Sequence, residues 1–228
     1  GFPMAVKLTQ IYSTKKMMAD QAMVRKLSAC ETIGSITTIC TDKTGTLTRN
    51  KMKVTKFWLG KAPTTYTSIA PYILELLQEG VALNTTGSVY WPTSGSEIEF
   101  SGSPTEQAIL SWAVLELNME MEQLKQSCKI LYVEAFNSQK KQSGVITRRK
   151  IDNTIHVHWK GDAEMILKMC SSYYDASGIM KDLHDSEKLK FEQRIQGMAA
   201  SSLRCIAFAH KQISEEDQEH DMEQKKIK

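Results

Sequence analysis

The chain has 228 residues, 41% of them hydrophobic, and its net charge is +3 because 29 basic residues nearly balance 26 acidic ones. This length suffices for one substantial domain and part of another, and the charge balance gives no indication of a nucleic-acid partner. The five cysteines are scattered without a C-x-x-C pair, which favours reduced thiols over a disulfide framework or a zinc site.

The first part of the chain is predicted to be a helix followed by a strand. Residues 7–29 have a helical pattern of apolar and basic residues, a pattern that a plain amphipathic surface helix would also produce. Residues 31–34 (ETIG) break this helix, and the β-branched run at 36–41 (ITTICT) predicts a strand ending at Asp42. These few elements cannot bury a core alone.

The strand leads into residues 42–48, with the sequence DKTGTLT. Asp42 at a strand end is a candidate phosphoryl acceptor, and Lys43 supplies positive charge beside a transferring phosphate. Thr44 and Thr46 offer hydroxyls and N–H groups to a phosphate, while Gly45 permits a tight turn. Asp42 and Thr44 are also hard oxygen ligands suited to Mg²⁺. The alternative is an Asx-turn in which the aspartate only forms the turn.

Beyond residue 48 the pattern changes to alternating helices and strands. Strands are predicted at 53–59, 129–136, 143–150, 154–160 and 203–210, and a hairpin turn at 152–153 joins the third and fourth of them. Helices are predicted at 71–80, 104–119, 163–169 and 186–200; loops with short strands fill 60–67 and 84–103. This order predicts an α+β domain with an antiparallel sheet and flanking helices over 49–212, followed by a charged, solvated or poorly ordered tail at 213–228.

The heptapeptide at 42–48 resembles the phosphorylation signature of the P-type ATPases, ion pumps that pass through an aspartyl-phosphate. The related haloacid dehalogenase-type phosphatases carry Asp-x-Asp, whose second Asp hydrolyses the intermediate. Thr44 stands at that position, so the acid/base group is missing and a persistent intermediate is favoured. The resemblance makes Asp42, Lys43 and Thr44 the catalytic residues, with Asp42 and Thr44 at Mg²⁺ and Thr46 at the nucleotide.

Short segments of the second domain resemble the family's ATP-binding elements. KGDAE at 160–164 is similar to the Lys-Gly-Ala-Pro-Glu element of the adenine pocket, which implies that Lys160 and Gly161 contact ATP; by pattern alone Lys160 is a solvated lysine. Asp162 departs from the family and, unless it is paired or points away, its charge weakens ATP binding. GSPTE at 102–106 is similar to the segment whose Glu accepts from the adenine amino group, although Ser103 and Glu106 also fit a capping box.

Two further segments complete this resemblance. FNS at 136–138 is similar to the segment whose ring stacks on adenine, which assigns that role to Phe136 and a phosphate-attracting role to Lys141; the alternative is a core phenylalanine ending a strand. LRCIA at 203–207 is similar to the strand whose arginine contacts the nucleotide phosphates, which implies that role for Arg204.

The resemblance covers nearly the whole chain, and the segments at 27–34, 84–87 and 158–161 look most like plant autoinhibited calcium pumps. It implies the end of a membrane helix, a stalk helix and the first strand of an α/β phosphorylation domain at 1–48, and a nucleotide-binding domain at 49–212. The implied activity is ATP-driven calcium export from the cytosol; a pump for another cation and an isolated nucleotide-binding module remain alternatives.

The implied cofactors are ATP and Mg²⁺, and the implied partners are the pump's own membrane, actuator and phosphorylation domains. Calmodulin is an expected partner of the full protein, yet no segment shows a basic amphipathic helix for it. No stretch approaches the roughly 20 apolar residues of a spanning helix, so we expect a soluble, monomeric piece from the cytosolic face of a plasma membrane or endomembrane. It lacks the family's Gly-Asp-Gly-x-Asn-Asp element and is expected to bind nucleotide without full turnover.

Overall fold

A computed structural model describes residues 2–92, 95 and 97–215. The chain divides into two units, Gly1–Asn50 and Lys51–Lys228. Within the described ranges, no helix combines the length and the apolar character needed to cross a membrane. The charged tail expected at 213–228 lies mainly at 216–228, outside the described residues.

The first unit contains two helices, α1 (Phe2–Ala19) and α2 (Ala29–Gly34). The helix predicted at 7–29 is therefore right up to Ala19 and wrong beyond it. Gln21 has a left-handed φ of 62°, and the Ala22 N–H donates to the Met17 carbonyl at 2.9 Å, an arrangement that terminates helices. The break predicted at 31–34 is also wrong, because these residues belong to α2.

The strand predicted at 36–41 does not form. A strand needs a neighbour for its backbone N–H and C=O groups, and within the described residues none pairs with this segment. The expected first strand of a phosphorylation domain is therefore absent from this structure. Residues 43–47 instead form one wide turn.

The second unit is built on a four-stranded antiparallel sheet with the order β10-β7-β6-β5. Its strands are β5 (Cys128–Asn137), β6 (Gln142–Arg149), β7 (Ile155–Asp162) and β10 (Ile206–Ile213). All were predicted, although β10 begins three residues later than expected. The hairpin between β6 and β7 turns at Asn153, whose φ is 59°, so the α+β class with an antiparallel sheet is confirmed.

The described residues of this unit form five α-helices: α3 (Pro71–Leu83), α4 (Pro104–Glu116), α5 (Met121–Ser127), α6 (Ala163–Met169) and α7 (Asp185–Ala200). The sequence prediction missed α5 and placed the starts of the others to within one residue. The main core is formed by buried side chains of α3 and α4 with Val145 of β6, and it includes Leu110, which is 1% exposed. This packing fixes α4 against the sheet.

Pairs of short antiparallel strands lie outside the main sheet: β1 (Trp58–Leu59) with β2 (Ala62–Pro63), β3 (Val89–Tyr90) with β4 (Glu99–Phe100), and β8 (Ser172–Tyr174) with β9 (Met180–Asp182). The strand predicted at 53–59 is thus reduced to its last two residues. The pair β8 and β9 was not predicted. Residues 93, 94 and 96, in the predicted loop, lie outside the described residues.

Candidate functional site

The register of the sheet gathers the predicted nucleotide residues at one end. Asn137 pairs with Gln142, Gln142 with Gly161, and Gly161 with Ala207, which forms one row across the four strands. Phe136 precedes this row on β5, Lys160 precedes it on β7, and Arg204 lies just before β10. Phe136, Lys160 and Arg204, which are far apart in the sequence, therefore lie at the same end of the sheet. We call this end the charged edge.

Glu106 lies in the first turn of α4, where a capping box fixes it. Ser103 is the N-cap: its Oγ accepts from the Glu106 N–H at 3.3 Å, and the Ser103 N–H donates to Glu106 Oε2 at 3.3 Å. Pro104 occupies the first helical position, where its missing N–H costs nothing. The capping-box alternative is confirmed, and it directs the carboxylate back towards the helix N-terminus.

The same carboxylate meets Lys160, whose Nζ lies 3.6 Å from Glu106 Oε1 with both side chains largely buried. Burial by itself would raise the pKa of Glu106, but hydrogen bonds from Thr86 and the charge of Lys160 outweigh it and lower that pKa to about 2. Burial lowers the pKa of Lys160, and Glu106 opposes that shift. Lys160 is thus a largely buried ammonium paired with one carboxylate, which contradicts its interpretation as a solvated lysine.

The segment between α3 and β3 holds Glu106 from the other side, a role that sequence reasoning missed. Thr85 Oγ1 donates to Glu106 Oε1 at 3.2 Å, and the Thr86 N–H donates to it at 3.0 Å. Thr86 Oγ1 lies 3.2 Å from Oε1 and 3.0 Å from Oε2. The motif NTTG at 84–87 resembles the plant calcium pumps, but its local pattern carries no signal for this contact.

Asn84 and Gly87 fix the ends of this segment. The buried Asn84 side chain donates from Nδ2 to the carbonyls of Ser143 and His158, both at 3.2 Å. At Gly87 a Cβ would lie 2.5 Å from the Ser101 carbonyl oxygen, so only glycine permits this approach. The two threonines are therefore presented to Glu106 from a rigid support.

Gly161 is required by protein backbone. A Cβ there would lie 2.5 Å from the Lys141 carbonyl oxygen and 2.8 Å from Gln142 Cα. The Lys141 carbonyl also accepts from the Asp162 N–H at 2.9 Å. The glycine thus allows the turn between β5 and β6 to close over the end of β7.

Asp162, which we expected to oppose nucleotide binding, is the N-cap of α6. Its Oδ1 accepts from the N–H groups of Glu164 at 3.2 Å and Met165 at 3.4 Å. A carboxylate at a helix N-terminus is stabilised by the helix dipole as well as by these bonds. Its charge is therefore partly neutralised within the protein.

Phe136 is 62% exposed, which excludes the alternative of a core phenylalanine. Its neighbour Asn137 organises the following turn, because Oδ1 accepts from the N–H groups of Gln139 at 2.8 Å and Lys140 at 3.0 Å. Lys141 is exposed and left-handed, with a φ of 52°. An exposed ring beside a lysine-bearing turn is suited to stacking on a base near anionic groups.

Arg204 contacts the start of α4 by donating from Nη1 to Thr105 Oγ1 at 3.4 Å. It also lines a cavity of about 590 Å³ between residues 52–60 and 202–210. Glu106, Phe136 and Lys160 do not line this cavity. We assign the candidate site to the charged edge of the sheet, because the polar groups converge there and the cavity is mainly apolar.

In the first unit, residues 42–48 form a turn closed by its own groups. The Thr48 N–H donates to the Lys43 carbonyl at 3.2 Å, and the Gly45 N–H donates to Thr48 Oγ1 at 3.3 Å. Gly45 has a φ of 81°, as the tight path required. Asp42 is exposed and its Oδ1 accepts from the Lys43 N–H at 2.7 Å, whereas an Asx-turn is closed by the N–H two residues on.

A family profile described as "P-type ATPase, cytoplasmic domain N" matches residues 73–228. The chain belongs to the P-type ATPases. The matched span contains Phe136, Lys160 and Arg204, which the sheet register brings to one edge, and Glu106, which pairs with Lys160.

Among the curated relatives of this P-type ATPase chain are plant proteins named as calcium-transporting ATPases of the plasma membrane type. Calcium-transporting ATPase 12 of Arabidopsis thaliana is 63% identical to the chain over 92% of the chain's length. A second protein of the same plant, named putative calcium-transporting ATPase 13, is 56% identical over 95%. Number 7 of Oryza sativa subsp. japonica is 53% identical over 93%. The chain spans only 21% to 22% of the length of these relatives.

Hard oxygen donors of this P-type ATPase chain fit a magnesium ion. Mg²⁺ keeps several waters and takes one or two carboxylates together with substrate phosphates, so it needs no complete protein cage. The Asp42 carboxylate and the oxygens of Thr44 lie on an exposed turn and supply such a partial set. Within the described residues, no cluster of three His, Cys, Asp or Glu side chains offers a fuller site.

Proposed function

We propose that the chain is the ATP-binding and phosphorylation-site portion of a calcium-transporting P-type ATPase. In this proposal, ATP hydrolysis through an aspartyl-phosphate on Asp42 drives calcium export from the cytosol. The observation that carries it is the Glu106–Lys160 pair, held by a capping box and a threonine segment at the edge where Phe136 and Arg204 also lie.

The nucleotide-binding step follows from the chemistry of this edge. The Glu106 carboxylate, ionised far below neutral pH, accepts from the amino group of the base, and Phe136 stacks on its face. Lys160 and Lys141 contribute positive charge, and Arg204 offers the planar donor pair suited to phosphate. Gly161 keeps the turn that bears Lys141 close to the end of β7.

The transfer step assigns roles to the turn at 42–48. A carboxylate oxygen of Asp42 attacks the γ-phosphorus of ATP, a new O–P bond forms, and the bond to the β-phosphate oxygen breaks to release ADP. Lys43 and the groups of Thr44 and Thr46 hold the transferring phosphoryl. Asp42 and Thr44 would hold Mg²⁺, which would neutralise phosphate charge.

Calcium as the transported ion rests on the names of the relatives and on their identity to this chain. The relatives' names and the description of the family profile support a place on the cytosolic face of a plasma membrane, and an endomembrane is the alternative. The partners would be the membrane, actuator and remaining phosphorylation domains of the same pump, since the chain is about a fifth of its relatives' length. Another transported cation is the alternative.

The proposal is tested by phosphorylation of the full-length pump from radiolabelled ATP, with and without calcium. We expect a calcium-dependent label that is stable in acid and released by hydroxylamine, and its absence in Asp42→Asn. A label that survives Asp42→Asn would contradict the assigned acceptor. A label driven by another cation would contradict calcium, and ATP binding without any label would favour an isolated nucleotide-binding module.

A further inference from the structure

The Glu106 carboxylate is already saturated with donors. Two backbone N–H groups, those of Thr86 and Ser103, donate to it at 3.0 and 3.3 Å. Hydroxyls of Thr85, Thr86 and Ser103 lie within 3.3 Å, and Lys160 Nζ lies at 3.6 Å. A carboxylate offers about four acceptor positions, so another donor can reach Glu106 only by displacing one of these groups.

The donor groups around Glu106 differ in how easily they can be displaced from its carboxylate. The N–H groups of Thr86 and Ser103 are fixed by the backbone, and Thr85 Oγ1 is held by a second bond because it accepts from the Gly87 N–H at 3.0 Å. Thr86 is exposed, and within the described residues its hydroxyl forms hydrogen bonds only with the two oxygens of Glu106. Rotation about χ1 releases this hydroxyl to solvent without any backbone change.

We propose that the Thr86 hydroxyl is an internal competitor that occupies Glu106 in the empty site and yields to the amino group of a bound base. It therefore sets the affinity for nucleotides whose base carries such a donor. This inference rests on the proposed nucleotide site. It also makes Thr86 a positioning residue that affects selectivity, since a base without an amino donor does not compete for the carboxylate.

The test is calorimetric titration of the chain with ATP and with ITP, whose hypoxanthine base carries a carbonyl where adenine carries the amino group. Thr86→Val removes the hydroxyl at nearly constant volume and keeps the N–H. We expect it to raise the affinity for ATP by about 3- to 10-fold, the size of the net contribution of one typical intramolecular hydrogen bond, and to leave the affinity for ITP unchanged. Thr86→Ser, which keeps the hydroxyl, should bind both as the unmodified chain does.

Two controls separate this role from a merely structural one. Thr67→Val changes an exposed threonine whose hydroxyl contacts Thr65, and should alter neither affinity. The pKa of Glu106, followed by NMR, should rise in Thr86→Val because a donor to its ionised form is lost.

An equal gain for ATP and ITP, an unchanged ATP affinity, or a loss of affinity in Thr86→Val would each overturn the competitor role while leaving the nucleotide site intact. A lack of ATP binding by the unmodified chain, or unchanged binding in Glu106→Gln, would overturn the nucleotide site itself and the inference with it.

Discussion

The two units of the chain organise their functional residues in opposite ways. Among residues 3–50, no side chain is buried, and the turn that carries Asp42 is closed only by bonds between its own residues. In the second unit, Glu106 and Lys160 belong to elements packed on a core of buried side chains, and their contacts span 54 residues of sequence. One site is local, and the other depends on tertiary structure.

This difference indicates that the second unit can position a nucleotide site by itself, whereas the Asp42 turn of the first unit needs partners to become rigid. A site positioned by packed helices and strands is held in place before the ligand arrives, which lowers the entropic cost of binding. A turn without core support keeps its short-range shape but gains rigidity only from partners. We therefore expect substitutions behind the nucleotide site to matter far more than equivalent ones near Asp42.

The largest effect should come from the buried ion pair beneath the sheet. Arg149 Nη2 donates to Glu79 Oε2 at 3.0 Å, and Nε lies 2.9 Å from Oε1, with the two side chains 10% and 3% exposed. Glu79→Ala leaves the buried guanidinium without this partner and should lower the free energy of unfolding by about 3 to 5 kcal/mol. Urea denaturation measures this loss. Glu122→Ala, in an exposed pair with Lys125, should cost less than about 1 kcal/mol.

The next effect compares the two units directly. Leu110→Ala removes a side chain that is 1% exposed and should cost about 2 to 5 kcal/mol of unfolding free energy. Ile39→Ala, at a side chain that is 82% exposed in the first unit, should cost less than about 0.5 kcal/mol. Similar costs for both variants would show that the first unit is packed in a way that this structure does not show.

A third effect is the pH dependence of stability, which we attribute to the paired histidines His158 of β7 and His210 of β10. Burial and neighbouring cations lower the pKa of His158 to about 3 and that of His210 to about 4, from an ordinary 6.5. Because the unfolded chain binds protons first, stability should fall as the pH drops from about 6.5 towards 4. Denaturation at several pH values measures this slope. His210→Gln should flatten it, whereas His184→Gln, at an exposed histidine, should leave it unchanged.

The smallest effect concerns two helix starts. Ser103 caps α4 with its side chain, so Ser103→Ala should cost about 1 kcal/mol. Ser28 precedes α2 without a side-chain cap bond, so Ser28→Ala should cost almost nothing. Thermal unfolding monitored by circular dichroism compares the two, and equal shifts in Tm would contradict the assigned cap.

Local signals in the sequence predicted much of the second unit. Pro71 and Pro104 mark helix starts through effects that act within one turn, and α3 and α4 begin where these signals place them. The strands β6 and β7 followed from β-branched runs flanking a turn at Asn153. The position of Glu106 followed from the capping box.

Features that depend on distant partners escaped the sequence prediction. The strand at 36–41 has the right composition, but composition cannot supply a neighbouring strand. The hydrogen bonds from Thr86 to Glu106 connect residues 20 positions apart in the sequence, and they depend on the rigid segment that holds Thr86. Gly161 is required because a side chain there would collide with the Lys141 carbonyl, and this contact depends on how the strands pair.

The central claim, that the edge bearing Glu106 and Lys160 binds ATP, is tested most directly by calorimetric titration of the chain and its Lys160→Met variant. We expect saturable ATP binding that Lys160→Met weakens by at least about tenfold, the value of one charge-assisted contact. Lys129→Met, at an exposed lysine of β5, should bind as the unmodified chain does. Equal ATP affinities for the Lys160→Met variant and the unmodified chain would contradict the account.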